Sequence, residues 1–180
     1  LYRTLLRGDW RGFATRFGWA LGGTERGSIW LHGASAGEIA LLKPLVSLLE
    51  RDMPTVPLVI SAYSSTGLSA AKNTFPRHRV TFFPFDLTFV VSRFLSRLDP
   101  CLIVIVESDF WPNFLSIALA RKIPVAVING KISARSARRN ARARFLPHLL
   151  RQLPLLAVQT TEHAERMRQL GVATSRLRVT

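Results

Sequence analysis

The sequence predicts an α/β domain built on a doubly wound, mostly parallel sheet. Short apolar runs alternate with helix-length segments along most of the chain. Because the runs contain few polar residues, each is typical of a strand buried on both faces. The expected strands are Ile29–Leu31, Leu58–Ala62, Val80–Phe83, Leu102–Val106, Val125–Ile128 and Leu155–Val158, with a seventh starting near Thr180. The expected helices cover about 38–51, 66–75, 87–98, 111–121, 134–151 and 161–170. This alternation indicates a Rossmann-like fold of six or seven strands.

Residues 1–26 precede the first strand and combine arginines with tryptophans, phenylalanines and leucines. A basic amphipathic segment of this kind can lie in a membrane interface. It can equally form a helix on the surface of its own domain, and several glycines argue against one long helix. We therefore divide the chain into this segment, membrane-facing or packed on the domain, and a Rossmann-like domain over residues 27–180.

Local signals mark the ends of several elements. Ser64 can cap the helix that opens at Thr66-Gly67. Pro44 should kink the first helix because it removes a backbone hydrogen bond. The single cysteine, Cys101, lies in an apolar run after Pro100, so we expect it to pack in the core.

Composition limits the classes of protein. The chain has 180 residues and 48% hydrophobic residues, which is enough for one domain with a sizeable core. It starts without methionine and stops where a strand is expected to begin, so we expect it to be part of a longer protein. No apolar run approaches the roughly 20 residues that a membrane span needs.

Charge indicates anionic partners. The 25 Lys and Arg residues outnumber 11 acids, which gives a formal net charge of +14. Nucleic acid, acidic lipid headgroups and phosphorylated small molecules all fit this surplus. The sequence lacks the G-x-G-x-x-G fingerprint, a P-loop, H-E-x-x-H and CxxC, which disfavours enzymes built on them. We also expect no metal, since no metal-ligand cluster is visible in the sequence.

The first candidate site is Gly33–Glu38, which joins the first strand to the first helix. Ligands of open α/β sheets bind outside the carboxyl ends of the strands, and small residues such as Gly37 let a ligand approach the backbone. Glu38 could act there as a general base. Ser35 and Glu38 also match the S-x-x-E capping box, in which both side chains bind amides at the helix N-terminus. Capping and catalysis therefore both stay open.

A second candidate is the stretch Glu107-Ser-Asp-Phe-Trp-Pro-Asn113. Glu107 ends an otherwise apolar strand, and a buried acid is costly there unless it is paired or functional. Asp109 could cap the next helix, with Pro112 tolerated in its first turn.

Two more loops follow expected strands. Lys131, Ser133 and Arg135 surround a helix start and form either an anion site or a solvated turn capped by Ser133. Ser64 and Thr66 lie in another hydroxyl-lined loop, for which ordinary capping is the alternative.

The expected helix after Ser133 is strongly basic. It carries six arginines and no acid: Arg135, Arg138, Arg139, Arg142, Arg144 and Arg151. Nucleic acid would suit this charge, but the chain has no aromatic stacking platform or recognised nucleic-acid motif. A surface that faces a membrane or phosphates fits equally well.

The combination and order of several motifs resemble one family. These motifs are Ser35-Ala-Gly-Glu38, Thr66-Gly67, Phe83-Pro-Phe-Asp86, Glu107-Ser-Asp-Phe-Trp-Pro-Asn113, Asn129-Gly-Lys-Ile-Ser-Ala-Arg-Ser136 and Gln159. From about Ile29 to Gly171 the chain resembles the N-terminal half of bacterial 3-deoxy-D-manno-octulosonic acid (Kdo) transferases. The resemblance implies a membrane-associated GT-B glycosyltransferase of lipopolysaccharide synthesis. Such an enzyme transfers Kdo from the donor substrate CMP-Kdo to a lipid A precursor and uses no cofactor.

The resemblance also implies roles for particular residues. The proposed catalytic base of the family maps onto Glu38, and the acid that ends the E-x-[DE]-x-W-P-N strand maps onto Glu107. The N-terminal half receives the acceptor, whereas a donor-binding domain is expected beyond Thr180, so this chain alone should be inactive. The residues then expected to contact substrate are Ser35, Gly37, Ser64, Thr66, Asn113, Lys131, Ser133 and Arg135.

The resemblance places the enzyme on the cytoplasmic face of the bacterial inner membrane. Its expected partners are CMP-Kdo, the lipid A precursor and the anionic membrane surface, with no specific nucleic acid. Two alternatives stay open: another GT-B glycosyltransferase with a different nucleotide-sugar donor, and a basic, non-enzymatic module that binds anions or membranes.

Overall fold

The computed structural model describes residues 10–19, 25–107, 110–143 and 145–180. Within these ranges, seven strands form one sheet: β1 (Ile29–His32), β2 (Leu58–Ala62), β3 (Arg79–Phe82), β4 (Leu102–Val106), β5 (Val125–Gly130), β6 (Leu155–Val158) and β7 (Leu177–Val179). All neighbouring pairs are parallel, and the order across the sheet is β3-β2-β1-β4-β5-β6-β7. The predicted Rossmann-like, doubly wound fold is confirmed. The seventh strand starts three residues earlier than expected.

Helices cover the sheet between the strands. In chain order they are α1 (Trp10–Arg16), α2 (Ala36–Leu41), α3 (Lys43–Asp52), α4 (Ser65–Thr74), α5 (Thr88–Leu98), α6 (Pro112–Ala120), α7 (Ala134–Ala143), α8 (Phe145–Leu150) and α9 (Thr161–Gln169). No helix among the described residues is both long and apolar enough to cross a bilayer.

The sheet separates two hydrophobic cores, which explains the uninterrupted apolar runs. Trp30 of β1 packs into the core that contains Phe94 and Phe114, whereas Leu31 packs into the opposite core with Ile39. Successive side chains of a strand point to opposite faces. A strand with a core on each side is therefore apolar at most of its positions.

One predicted helix is divided in the structure. The helix expected over 38–51 is broken at Leu42, and Pro44 lies in the first turn of α3, where its missing N–H costs least. The helix expected over 134–151 is described as α7 and α8, on either side of residue 144, which lies outside the described residues. Pro147, in the first turn of α8, has no N–H to donate to the carbonyl of residue 143, so this segment lacks one helical hydrogen bond.

The expected burial of Cys101 is also wrong, since this residue is exposed. Cys101 lies just before β4, at the amino end of the sheet, and its backbone N–H donates to the carbonyl of Ser28. The apolar residues after it belong to the strand proper, where burial begins.

The strand order reverses between β1 and β4, which are neighbours at the centre of the sheet. His32, the last residue of β1, is level with Ser61 of β2 and Ile105 of β4. The loops after these three strands therefore leave the same edge side by side. This edge is the switch point at which doubly wound sheets bind their ligands.

The segment of residues 1–26 is described only in part, and residues 1–9 and 20–24 lie outside the described residues. Helix α1 packs beside β3, and Arg16 at its end is only 6% exposed. Trp19, beyond the helix, is 60% exposed.

Candidate functional site

Glu38 lies at the switch point, in the first turn of α2. Its Oε2 accepts a hydrogen bond of 2.8 Å from the backbone N–H of Ala34, and its Oε1 accepts one of 2.8 Å from the hydroxyl of Ser35. Ser35 caps α2 by accepting from the N–H of Glu38 at 3.3 Å. The predicted capping box is therefore present with one difference. Glu38 accepts from the backbone N–H of Ala34, whereas the usual box uses the N–H of the capping residue itself, here Ser35.

The Glu38 loop is open to solvent on one side and packed against its own backbone on the other. Ser35 and Gly37 are exposed and Glu38 is partly exposed. Gly33 is buried, and a Cβ atom there would meet the carbonyl carbon of Glu38 at 3.0 Å. The loop is therefore packed tightly underneath and is accessible from solvent above.

The loop after β2 supports the Glu38 loop from the side. The carbonyl of Ala34 accepts from the backbone N–H groups of Tyr63 and Ser64. Ser64 caps α4 at the N–H of Gly67, at 2.9 Å, and its hydroxyl is 3.2 Å from that of the exposed Thr66. A Cβ on Gly67 would lie 3.1 Å from the carbonyl oxygen of Ala34, so glycine allows α4 to approach this loop closely. The predicted capping by Ser64 is confirmed, and the Thr66-Gly67 motif gains a packing reason.

Glu107 and Lys131 form an ion pair between the loops after β4 and β5. The Nζ of Lys131 is 2.7 Å from Oε2 of Glu107, and the side chains are 50% and 22% exposed. Glu107 has a φ of 65° and Asn129, at the end of β5, has a φ of 52°. Left-handed backbone at non-glycine residues is uncommon and tends to cluster at functional sites. The ion pair with Lys131 offsets the cost of holding the mostly buried carboxylate of Glu107 at the end of an apolar strand.

Asn113, predicted to contact substrate, contacts Asp86 in this structure. Its backbone N–H and its side-chain amide donate to Oδ2 and the carbonyl of Asp86, at 3.1 and 2.8 Å. The N–H of Phe114 donates to Oδ1 of Asp86 at 2.7 Å. A residue 27 positions upstream therefore caps α6, a role that the sequence suggested for Asp109, which lies outside the described residues.

Ser133 and Arg135 lie at the start of α7. The hydroxyl of Ser133 accepts from the N–H of Ser136 at 3.1 Å, which confirms the predicted cap. Arg135 is exposed on the helix. Lys131 and Ser133 line a cavity of about 760 Å³ beside α7, whereas neither Arg135 nor Glu38 is among its lining residues in the described chain.

His32, directly before the Glu38 loop, was not singled out by its sequence pattern. It is completely buried, stacks on Phe83 with ring centroids 3.9 Å apart, and places Nδ1 3.0 Å from Oγ and 3.2 Å from the carbonyl oxygen of Ser61. The pKa of His32 falls to about 3, chiefly because of burial; the nearby Arg16 also lowers it, whereas the hydrogen bond with Ser61 raises it. His32 is therefore a neutral element of the floor beneath the site.

Arg16 was likewise missed, because the sequence pattern assigned it to a surface segment. Its guanidinium donates to the carbonyls of Tyr63 and Phe83 and lies over the rings of Tyr63, Phe82 and Phe85. A buried arginine thus ties α1 to the loops after β2 and β3.

Comparison with known proteins gives a consistent result. The family model of 3-deoxy-D-manno-octulosonic-acid transferase (kdotransferase) matches residues 11–180. The 3-deoxy-D-manno-octulosonic acid transferase of Haemophilus influenzae is 32% identical over 154 residues, which are 84% of this chain and 36% of that protein. The enzyme of the same name from Chlamydia trachomatis is 30% identical over 158 residues, with the same coverage of both chains. The chain thus spans little more than a third of the length of these relatives.

Among solved structures, the UDP-GlcNAc 2-epimerase of Neisseria meningitidis, bound to UDP-GlcNAc, superposes with a TM-score of 0.60. The superposition covers 85% of this chain and 46% of the epimerase, at 13% sequence identity. At this identity the likeness concerns the fold alone.

Proposed function

Because the chain belongs to the family of 3-deoxy-D-manno-octulosonic acid (Kdo) transferases, we propose that the complete enzyme transfers Kdo from CMP-Kdo to a lipid A precursor. This chain would supply the half that receives the acceptor. The observation that carries the proposal is the carboxylate of Glu38, held by Ala34 and Ser35 at the switch point of the sheet.

In the proposed reaction Glu38 is the general base. An acceptor hydroxyl gives its proton to the Glu38 carboxylate while its oxygen bonds to the anomeric carbon of Kdo. The bond between that carbon and the phosphate oxygen of CMP breaks, and CMP leaves with the electron pair. An ionised carboxylate has about four lone-pair positions, of which two are occupied by hydrogen bonds from Ala34 and Ser35. The others are available to an acceptor hydroxyl within about 2.6–3.2 Å.

The two hydrogen bonds would also orient the base. They hold both oxygens of Glu38, so the carboxylate does not need to be ordered when the acceptor arrives. The exposed Ser35 and Gly37 beside it leave room for a sugar ring. Capping and catalysis are compatible in this arrangement, because the cap uses only part of the capacity of the carboxylate.

We propose that Glu107 positions Lys131 for an anionic group of donor or acceptor. The ammonium group of Lys131 can donate three hydrogen bonds, and its side chain remains 50% exposed while paired with Glu107. A charge-assisted hydrogen bond to a phosphate or sugar carboxylate is stronger than one between neutral groups. Glu107 would fix the ammonium group at the edge of the sheet.

A transfer assay on the complete enzyme tests the proposed reaction. CMP-Kdo should yield an acceptor enlarged by one or more Kdo residues, detected by mass spectrometry, and a panel of UDP-sugars should yield none. Transfer from a UDP-sugar with none from CMP-Kdo would favour the alternative of another GT-B glycosyltransferase, because this fold serves many donors.

We further propose that the enzyme works at the cytoplasmic face of the inner membrane, in contact with anionic lipid. The net charge is +14, and α7 carries four arginines without an acid. Each cation near an anionic leaflet contributes about 1 kcal/mol. Vesicles with anionic lipid should therefore sediment the protein at low salt, and neutral vesicles should not. Equally strong, salt-dependent binding to DNA would favour the basic, non-enzymatic module instead.

A further inference from the structure

Arg16 is a buried arginine at the end of α1, outside the candidate site. Its backbone carbonyl accepts a hydrogen bond of 3.3 Å from the N–H of Phe85, in the loop after β3. The carbon atom of its guanidinium lies 4.2 Å from the ring centroid of Phe82 and 4.7 Å from that of Tyr63. Aromatic faces attract a guanidinium, so both the backbone and the side chain of Arg16 are held in place.

The guanidinium of Arg16 fixes one particular peptide group. Its Nη2 donates to the carbonyl of Tyr63, and its Nη1 donates to the carbonyl of Phe83 at 3.4 Å. The carbonyl of Tyr63 and the N–H of Ser64 belong to the same planar peptide group and point in opposite directions. Arg16 therefore sets the direction in which the N–H of Ser64 points.

This N–H contacts the loop of the proposed base. The N–H of Ser64 donates to the carbonyl of Ala34 at 2.9 Å, and the N–H of Ala34 donates to Oε2 of Glu38 at 2.8 Å. A hydrogen bond from a charged donor is stronger than one from a neutral donor, and each bond in a chain polarises the next. Three hydrogen bonds thus connect the guanidinium of Arg16 with the carboxylate of Glu38.

Close packing leaves the Ala34 backbone little room to move by itself. A Cβ atom on Gly67 would lie 3.1 Å from the carbonyl oxygen of Ala34, and one on Gly33 would lie 3.0 Å from the carbonyl carbon of Glu38. Protein interiors packed this closely transmit strain. A shift of the peptide group between Tyr63 and Ser64 would therefore move the carboxylate of Glu38.

We propose that Arg16 is a positioning residue for Glu38, because it holds the peptide group that orients the Ala34 loop. This role rests on the proposed function of Glu38 as the general base. The base must lie within about 2.6–3.2 Å of the acceptor hydroxyl, and a displacement of about 1 Å can lower a rate by about 10²-fold. Loss of the Arg16 side chain should therefore slow the chemical step in an enzyme that is folded and binds its acceptor.

Single-turnover transfer by the complete enzyme tests this role in Arg16→Met. The assay is run well below the thermal midpoint of the variant, where circular dichroism verifies that it is folded. The rate at saturating acceptor should fall by about tenfold to a hundredfold, while the dissociation constant of the acceptor changes by less than about threefold. A folded variant with the wild-type rate would overturn the proposal.

Arg16→Lys serves if Arg16→Met does not fold. Lysine keeps the positive charge among the aromatic rings but lacks the planar fork with which the guanidinium reaches two carbonyls at once. The single-turnover rate of this variant should fall by at least about threefold, because the peptide group is held less rigidly. The wild-type rate in a folded Arg16→Lys enzyme would overturn the proposal in that case.

Arg97→Met is the matched control for the N-terminal segment. Arg97 lies in the last turn of α5 and donates to the carbonyl of Gly18 at 2.7 Å, so it anchors the same segment at another point. Its removal should lower the thermal midpoint and leave the single-turnover rate unchanged. A rate loss equal to that of Arg16→Met would overturn the proposal, because a general loosening of the segment would explain both.

Hydrogen exchange gives a measurement that needs no turnover. In the complete enzyme, mass spectrometry should show the peptides that contain Ala34 and Ser64 exchanging at least about tenfold faster in Arg16→Met than in the wild type. Arg97→Met should exchange there as the wild type does. Unchanged exchange in Arg16→Met would show that the loop does not depend on Arg16 and would overturn the proposal.

A double-mutant cycle shows whether Arg16 acts through Glu38. In a Glu38→Gln enzyme, adding Arg16→Met should slow transfer by less than about threefold, because no base is left to position. Rate losses that multiply would show independent action and would overturn the proposal. A Glu38→Gln enzyme with nearly the wild-type rate refutes the base and its positioning together. A slow Glu38→Gln enzyme beside a fast Arg16→Met enzyme refutes the positioning alone.

Discussion

Lowering the pH from 7 to 5 should destabilise this domain by about 2 kcal/mol through His32 alone. Burial lowers the pKa of His32 from the usual 6.5 to about 3. Between these two values the unfolded chain binds a proton at His32 that the folded chain does not. The unfolded state is therefore favoured as the pH falls, and the loss of stability begins near pH 6.5 and ends near pH 3.

The assay compares urea unfolding of the 180-residue chain at pH 7, 6 and 5, followed by tryptophan fluorescence. Carboxylates also contribute to acid destabilisation, so the quantity of interest is the difference between the wild type and His32→Phe. This variant keeps a ring against Phe83. Between pH 7 and pH 5 its free energy of unfolding should fall by about 2 kcal/mol less than that of the wild type. His148→Phe removes an exposed histidine and is the control. The free energy of unfolding of this variant should change with pH as that of the wild type does.

Nuclear magnetic resonance gives the refuting observation directly. The imidazole signals of His32 should not change between pH 7.5 and 4.5, because the folded protein keeps this ring neutral. A midpoint near 6.5 would show that the ring is not desolvated and that the floor beneath the Glu38 loop is open to water.

Two further predictions concern the packing around the site. Gly33→Ala should destabilise the domain by about 1–3 kcal/mol, because the new Cβ would lie 3.0 Å from the backbone of Glu38. Gly37→Ala is the control, since its Cβ would lie 3.9 Å from the nearest atom, the hydroxyl oxygen of Ser35. This second variant should leave the stability unchanged or raise it by up to about 1 kcal/mol. Equal unfolding midpoints of the two variants would contradict the tight packing. Arg16→Met should lower the free energy of unfolding by about 2–4 kcal/mol, because the carbonyls of Tyr63 and Phe83 lose their donor. Arg77→Met removes the exposed ion pair with Glu50 and should change the free energy of unfolding by no more than about 0.5 kcal/mol. A similar cost for both arginine variants would refute the structural role of Arg16.

Much of the fold was predictable because its signals are local. A strand with a core on each side needs a mostly apolar run, so β1, β2, β4, β5 and β6 could be located from such runs to within two residues. The caps at Ser35, Ser64 and Ser133 were predictable for the same reason, since each cap joins residues three positions apart. The helix expected over 38–51 was predicted as one element because its apolar pattern continues across Leu42, and only Pro44 marks the break.

The candidate site was less predictable because its contacts join distant parts of the chain. Glu107 and Lys131 were each expected at the edge of the sheet, but their pairing depends on β4 and β5 being neighbours. The burial of Arg16 and His32 depends on which loops cover them, and nothing in their local patterns distinguishes them from surface residues. Asp86 caps a helix 27 residues later, which no capping pattern describes.

The role of Glu38 as general base is tested most directly by single-turnover transfer with Glu38→Gln in the complete enzyme. The amide keeps the size of the side chain and can still accept from Ala34 or Ser35, but it cannot take a proton from the acceptor. The rate should fall by about 10²–10⁴-fold, with little change in acceptor binding. Glu165→Gln, which removes an exposed carboxylate paired with Arg168, should react at the wild-type rate. A Glu38→Gln rate within tenfold of the wild type would contradict the assignment of Glu38 as the base.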